Sequence, residues 1–181
     1  MNNKVVIVID MLNGFAKQGA LYSKNIKDII PTIKEIVEEH DNVIFVADSH
    51  SPNDIEMKQY PLHCLTDTEE AQIVSELAGY ANSDNIVYKN TTNAFWDLNI
   101  SSLIKKYNEF ILVGCCTDIC VMQLALSLKT YLNKIESEQK IIVYQNATAT
   151  FDTPEHEAST YHEFTLNIMK QAGVKIKTWD K

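Results

Sequence analysis

The cysteine best placed for chemistry is Cys120, in the segment GCCTDICV at residues 114–121. A short apolar run at 110–113 precedes that segment, and apolar residues recur at helical spacing after it. We therefore predict a strand, a tight turn and a helix whose first turn is capped by the Thr117 hydroxyl. In that first turn, unpaired N–H groups and the helix dipole would favour the Cys120 thiolate, which is the nucleophilic form. The alternative for such a cysteine is a small buried hydrophobic residue.

Three charged side chains stand at the ends of other predicted strands. Asp10 ends the run KVVIVID, Asp48 ends NVIFVAD, and Lys89 ends NIVYK. Ligands of α/β proteins bind beyond the carboxyl ends of the strands, which lie along one edge of a parallel sheet. We therefore expect the three residues to gather beside the 114–120 turn. One charged residue at a strand end more often caps a helix or meets water, so only the combination indicates chemistry.

The elements that must position these residues alternate between strand and helix. This pattern predicts one domain over residues 1–181, with a three-layer α/β/α architecture, right-handed crossovers and a mostly parallel sheet of about six strands. Asp28 is the expected cap of its helix, and the long loop at 49–68 is expected to be functional. The predicted strands are 4–10, 42–48, 85–89, 109–114, 140–144 and 174–177, and the predicted helices are 28–40, 68–80, 98–107, 117–132 and 154–172.

The bulk composition narrows the function classes. A net charge of −8 argues against a nucleic-acid partner or an anionic membrane surface. The four cysteines show no disulfide-framework spacing, which indicates reduced thiols in a cytoplasmic protein. The N-terminal apolar run is too short for a signal peptide, and no run approaches the roughly 20 residues of a membrane span.

Four segments of the chain resemble the isochorismatase-like cysteine hydrolases and, within them, the nicotinamidases. The resemblance implies a catalytic triad of Asp10, Lys89 and Cys120, in which Cys120 attacks an amide, Asp10 moves the proton and Lys89 holds both charges. It also implies an oxyanion hole formed by the N–H groups of Cys116 and Cys120, and a cis peptide between Cys115 and Cys116. The four segments are VIDMLNGF at 8–15, ADSHSPN at 47–53, YPLHC at 60–64 and GCCTDICV at 114–121.

The same resemblance implies a metal site in the loop after the second strand. Asp48, His50 and His63 are the expected ligands, with Glu56 as the fourth and Asp54 as its rival. Oxygen and nitrogen ligands of this kind suit Zn²⁺, with Mn²⁺ or Fe²⁺ as alternatives. A solvated acidic loop with two surface histidines is the competing interpretation. The other three histidines match nothing in this pattern and are interpreted as helix-surface residues: His40, His156 and His162.

Four aromatic residues are candidates for walls that stack on a flat heteroaromatic ring: Phe15, Tyr60, Phe95 and Trp96. Each is also explained as an ordinary core residue, and Phe15 and Tyr60 match the family's pocket positions best.

The resemblance as a whole implies a metal-dependent nicotinamidase. Such an enzyme converts nicotinamide and water to nicotinate and ammonia through a cysteine thioester, feeds NAD salvage and is commonly a homo-oligomer. Two alternatives stay open. One is a relative acting on another small amide or a vinyl ether, and the other is a non-catalytic metal-binding or interaction domain on the same fold.

Overall fold

A six-stranded parallel sheet forms the centre of the protein in a computed structural model that describes residues 3–180. The strands are β1 Lys4–Ile9, β2 Val43–Asp48, β3 Ile86–Lys89, β4 Glu109–Cys115, β5 Lys140–Ala149 and β6 Lys175–Lys177. Their order in the sheet is β3-β2-β1-β4-β5-β6, and every neighbouring pair is parallel. The order reverses between β1 and β4, which makes this the position where such sheets bind ligands.

Helices cover both faces of the sheet. They are α1 Asn13–Ala16, α2 Lys24–Asp28, α3 Ile30–Glu38, α4 Ser75–Ala78, α5 Ile100–Lys106, α6 Met122–Lys134 and α7 Ala158–Gln171. Successive β1 side chains alternate between two cores: Val6 and Val8 pack with Ile33 of α3, whereas Val5 and Ile7 pack with the second core, which includes α6. The predicted three-layer α/β architecture is therefore confirmed. Within residues 3–180, no helix is long and apolar enough to cross a membrane.

Two predicted helices are corrected by backbone contacts that sequence periodicity does not reveal. The predicted helix at 28–40 is divided into α2 and α3, and Asp28 ends α2 and pairs with Lys24 at 2.5 Å instead of capping α3. The predicted helix at 68–80 is reduced to a 3-10 turn and the short α4. The chain between them is drawn out of helical geometry because the Val74 N–H donates to Met11 O at 3.0 Å.

The turn after β4 also differs from the predicted helix start. One π-helical turn, Thr117–Val121, precedes α6, and the residue at its N-cap position is Cys116. The Thr117 hydroxyl lies 2.9 Å from His162 Nδ1 and makes no capping bond. Gly114 has φ +116°, and a Cβ there would lie 2.0 Å from the Ile9 carbonyl oxygen. Only glycine fits this close approach of β4 to β1.

Candidate active site

The predicted charged residues do meet at the carboxyl edge of the sheet. Asp10 directly follows β1, Asp48 and Lys89 end the paired strands β2 and β3, and Cys120 lies in the turn after β4. All four side chains are buried. Convergence follows from the topology, because parallel neighbouring strands deliver their last residues to one edge.

Lys89 is the centre of this cluster. Its Nζ lies 2.9 Å from Asp10 Oδ2 and 3.9 Å from Cys120 Sγ. On its other side, the same ammonium donates a hydrogen bond to Asp48 Oδ1. Among residues 3–180, neither Asp10 carboxylate oxygen has a hydrogen-bond partner, so the contact with Lys89 is an ion pair whose geometry is not that of a hydrogen bond. The structure thus brings Asp10, Lys89 and Cys120 together.

The charges of the cluster depend on burial and on pairing. Burial opposes the charge of Lys89, but Asp10 and Asp48 outweigh it and raise the pKa of this lysine well above its usual value. Burial, with help from Asp48, raises the pKa of Asp10 to about 6. Asp10 is therefore largely ionised at neutral pH and is suited to accept a proton.

Burial opposes the expected thiolate of Cys120. Burial raises the pKa of the Cys120 thiol well above its usual value, and Lys89 offsets this effect only in part. The predicted benefit of the helix start is outweighed because the thiolate would be buried near two carboxylates, Asp10 and Asp48. This direction favours a thiol that loses its proton as it attacks.

The backbone around the cluster is unusual at two positions. Asp10 has φ +52°, a left-handed conformation that is uncommon for residues other than glycine and that concentrates at functional sites. The peptide between Cys115 and Cys116 is cis, as the family resemblance implied.

A possible metal-binding group adjoins the cluster. Asp48, His50 and His63 each offer one ligand atom, and these atoms all lie within 4.8 Å of one another. His50 Nδ1 lies 3.2 Å from Asp54 Oδ2, and His63 Nδ1 lies 2.8 Å from the Pro61 carbonyl oxygen. An acceptor at Nδ1 leaves Nε2 of each ring for a metal.

The buried Nε2 of His50 has no hydrogen-bond partner within residues 3–180. An unpartnered buried nitrogen costs free energy, and a cation held with the Asp48 carboxylate would remove that cost. Burial opposes ionisation of Asp48, but Lys89 and the histidines His50 and His63 hold the pKa of its carboxyl below its usual range. The donor set therefore fits a divalent cation.

The fourth-ligand prediction is corrected by the positions of the two candidate carboxylates. Glu56 does not join the group of three, because its Oε2 accepts the Thr92 N–H at 3.1 Å. Asp54 also stays outside the group and instead orients His50 through Nδ1. Three protein ligands are thus brought together, which leaves open coordination positions.

A pocket opens beside both clusters and encloses about 540 Å³, open solvent at its mouth included. Phe15 and Tyr60 line it, as predicted, and so does Glu56. Phe95 and Trp96 do not line it, because their 3-10 turn packs Phe95 against Tyr131 of α6 and leaves Trp96 76% exposed. The other lining residues are Asp10, Leu21, Asp48, His63, Thr92, Cys115, Cys116, Ile119, Cys120 and Phe151.

Four pocket residues were not found by sequence reasoning, and one of them is the polar Thr92. Leu21, Ile119 and Phe151 are apolar residues with no pattern of their own. β5 extends to Ala149 instead of ending near 144, so Phe151, two residues after the strand, reaches the ligand-binding edge.

The assignment to a helix surface is wrong for His156, whereas His162 does lie on α7 but is partly buried. His162 is half-buried against Thr117, and burial lowers the pKa of its ring. His156 lies before α7 and pairs with Asp118. His40 contacts the Ile36 carbonyl oxygen and the Trp179 ring, away from the pocket.

A parallel α/β sheet with a buried cysteine, lysine and carboxylate at its switch point is the architecture of a hydrolase that works through a nucleophile and a base. The isochorismatase domain family matches residues 4–181, and the chain belongs to this family of hydrolases.

Three individual proteins illustrate the similarity. Nicotinamidase 1 of Arabidopsis thaliana is 28% identical over 177 residues, covering 84% of this chain and 72% of that protein. The crystal structure of nicotinamidase PncA from Bacillus subtilis has a TM-score of 0.76 and 29% identity, with 96% of this chain and 98% of that chain covered. The pyrazinamidase of Pyrococcus horikoshii in complex with zinc has a TM-score of 0.76 and 22% identity, with 98% and 99% covered.

Proposed function

We propose that this protein is a metal-dependent amidohydrolase that converts nicotinamide and water to nicotinate and ammonia. The observation that carries the proposal is the position of Lys89, which contacts Asp10 and approaches Cys120 on one side and contacts Asp48 of the metal-ligand group on the other. The nicotinamidase names of its relatives supply the substrate.

Each proton has a defined carrier in the proposed reaction. The Asp10 carboxylate takes the Cys120 thiol proton as sulfur bonds to the amide carbon. Asp10 then returns that proton to the departing nitrogen, which leaves as ammonia and yields a thioester on Cys120. Water, losing a proton to Asp10, attacks the thioester, and nicotinate departs as sulfur is reprotonated. The pKa of about 6 suits Asp10 to both directions of transfer at neutral pH.

Two further functions fall to the backbone and to Lys89. The N–H groups of Cys116 and Cys120 are the proposed donors to the tetrahedral oxyanion, and loss of such a donor costs about 10²–10³ in rate. The Lys89 ammonium compensates the Asp10 carboxylate beside it and the sulfur charge that develops during attack.

Asp48, His50 and His63 are the residues that would hold the metal. When bound, a divalent cation supplies coordination positions for water or for a ring nitrogen next to the pocket. Zn²⁺ is the proposed ion, with Mn²⁺ and Fe²⁺ as alternatives that the same ligands accept. The Pyrococcus horikoshii pyrazinamidase was crystallised with zinc.

The pocket is suited to a flat ring. Phe15 lies against His63, with ring centroids 5.6 Å apart, and Tyr60 meets the same imidazole edge-on at 6.3 Å. These rings place apolar faces beside the metal-ligand group, where a pyridine ring would have its plane covered and its nitrogen near a cation.

The test is ammonia release from nicotinamide by metal-replete protein, with Cys120→Ala as the matched inactive control. We expect release by the wild type alone. Hydrolysis of another small amide or a vinyl ether without nicotinamide turnover would refute the substrate, and inertness toward all of them would favour a binding module. A place in NAD salvage, a cytoplasmic location and a homo-oligomeric state stay predictions.

A further inference from the structure

His156 connects the nucleophile turn to a wall of the pocket. Its Nε2 lies 2.7 Å from Asp118 Oδ2, and Asp118 is two residues before Cys120 in the π-helical turn. Its Nδ1 lies 3.0 Å from the carbonyl oxygen of Phe151. Phe151 lines the pocket. One imidazole therefore joins the turn that carries the cysteine to the backbone of a pocket residue.

Ring stacking adds to these hydrogen bonds. The His156 ring stacks on Phe151 with centroids 3.9 Å apart and an interplanar angle of 12°. Its opposite side is covered by Tyr161 of α7, at 3.7 Å and 28°. The same histidine thus stacks on the Phe151 ring and donates a hydrogen bond to the Phe151 carbonyl oxygen. Rotation of either ring would break the stack.

The segment that carries Phe151 also has bonds of its own, and the Phe151 side chain packs against the first apolar core. The N–H of Thr153 donates to His156 O and the N–H of His156 donates to Thr153 O, each at 3.0 Å. Asp152 Oδ1 accepts the Ala158 N–H at 3.0 Å, which closes the segment onto α7. These bonds shape the segment internally, whereas the bond from His156 to Asp118 fastens it to the nucleophile turn.

We propose that His156 is a positioning residue that holds Phe151 as a wall of the pocket by fastening residues 151–157 to Asp118. A fixed wall favours a flat ring, and this consequence rests on the proposed function. The fastening itself does not, because it depends only on contacts between His156, Asp118 and Phe151.

The fastening is tested by hydrogen exchange on His156→Ala, with His40→Ala as the matched control. His40 is a half-buried histidine that contacts a carbonyl and a ring far from the pocket residues. We expect backbone amides in peptides covering 151–157 to exchange about tenfold faster in His156→Ala, because their closed state loses its anchor. The same peptides should keep wild-type exchange in His40→Ala. Wild-type exchange in His156→Ala would overturn the proposal.

The effect on the pocket is tested by steady-state kinetics with nicotinamide. We expect His156→Ala to raise KM about tenfold, which corresponds to a lost ring contact, while kcat stays within about threefold. Phe151→Ala should raise KM similarly, and the double variant should be no worse than Phe151→Ala because both changes act through one wall. A fall in kcat with unchanged KM, or full additivity, would overturn the positioning function.

Two further measurements distinguish failure of the His156 proposal from failure of the proposed function. If His156→Ala does not fold, His156→Leu faces the same criteria, since it fills part of the space but lacks both the donor for Asp118 and the stacked ring. If wild-type protein releases no ammonia from nicotinamide, the proposed function fails, and hydrogen exchange alone then decides whether His156 holds the segment.

Discussion

Two groups of side chains meet at Lys89, and they differ in the partners of their polar atoms. On one side, Asp10 and Cys120 both contact the lysine, and the aspartate forms an ion pair with it at 2.9 Å. On the other side, His50 and His63 have their Nδ1 atoms engaged by other groups, and the buried Nε2 of His50 has no partner within residues 3–180. The first group sets an ammonium against a carboxylate and a thiol, and the second has the donors of a cation site.

This difference indicates separate tasks for neighbouring residues. The group around Cys120 contains a nucleophile, a base with a pKa of about 6 and a permanent positive charge, which together suffice for acyl transfer. The metal-ligand group contains no nucleophile, and its expected contribution is to bind a cation that helps to hold the substrate. Variants in the Cys120 group should therefore lose the chemical step, whereas variants in the metal-ligand group should lose the bound cation.

The largest effect should come from the nucleophile. Cys120→Ala should reduce ammonia release by at least about 10⁴-fold, because no other group can form the thioester. Thermal unfolding should show that the variant still folds. Cys64→Ala is the matched control, since Cys64 is equally buried but contacts the Glu70 carbonyl oxygen outside the pocket lining. Equal losses in both variants would remove the distinction between a catalytic and a structural thiol.

Loss of the metal should have the next largest effect. Chelation should lower turnover of nicotinamide by about 10- to 100-fold and lower Tm, because an ion bound to the folded state alone stabilises it. His63→Ala should lose bound metal in elemental analysis, whereas His40→Ala should retain it. Full turnover by metal-free protein would show that the cation contributes nothing to the reaction.

The pH dependence of kcat/KM should show that Asp10 acts as the base. Because the pKa of Asp10 is raised to about 6, the carboxylate is protonated below that pH and can no longer accept the thiol proton. We expect kcat/KM to be level above about pH 6 and to fall about tenfold per unit below it. Metal content must be followed over the same range, since histidine ligands also bind protons. An acid limb near pH 4 with the metal retained would show that burial does not perturb Asp10.

The smallest expected effect is on KM, and it should distinguish the aromatic residues that line the pocket from those that do not. Tyr60→Ala should raise KM for nicotinamide about tenfold, because Tyr60 lines the pocket beside His63. Trp96→Ala should leave KM within about twofold of wild type, since the indole is exposed and outside the lining. A large KM change in Trp96→Ala would mean that this tryptophan closes over bound substrate or is covered by another molecule.

The convergence of Asp10, Lys89 and Cys120 was predictable because it needs only the order of the strands and their parallel direction. The choice among acidic residues in the long loop was not predictable in the same way. Glu56 and Asp54 both had suitable chemistry, but backbone geometry turned Glu56 to Thr92 and Asp54 to His50 Nδ1. Sequence spacing within an irregular loop does not determine such directions.

The burial that opposes the predicted thiolate was hidden for a related reason. The position of Cys120 near a helix start is visible in the sequence, but the amount of water excluded around its sulfur is not. Phe151 was overlooked because its position depends on where β5 ends and on a histidine that comes later in the chain.

The sequence by itself determined the alternation of strands and helices, the family and the residue types available for chemistry, because local periodicity and short motifs encode them. Only the tertiary structure decided the burial of Cys120, the members of the metal-ligand group and the walls of the pocket. These properties depend on burial and on contacts between distant segments, and both arise only when the chain is packed.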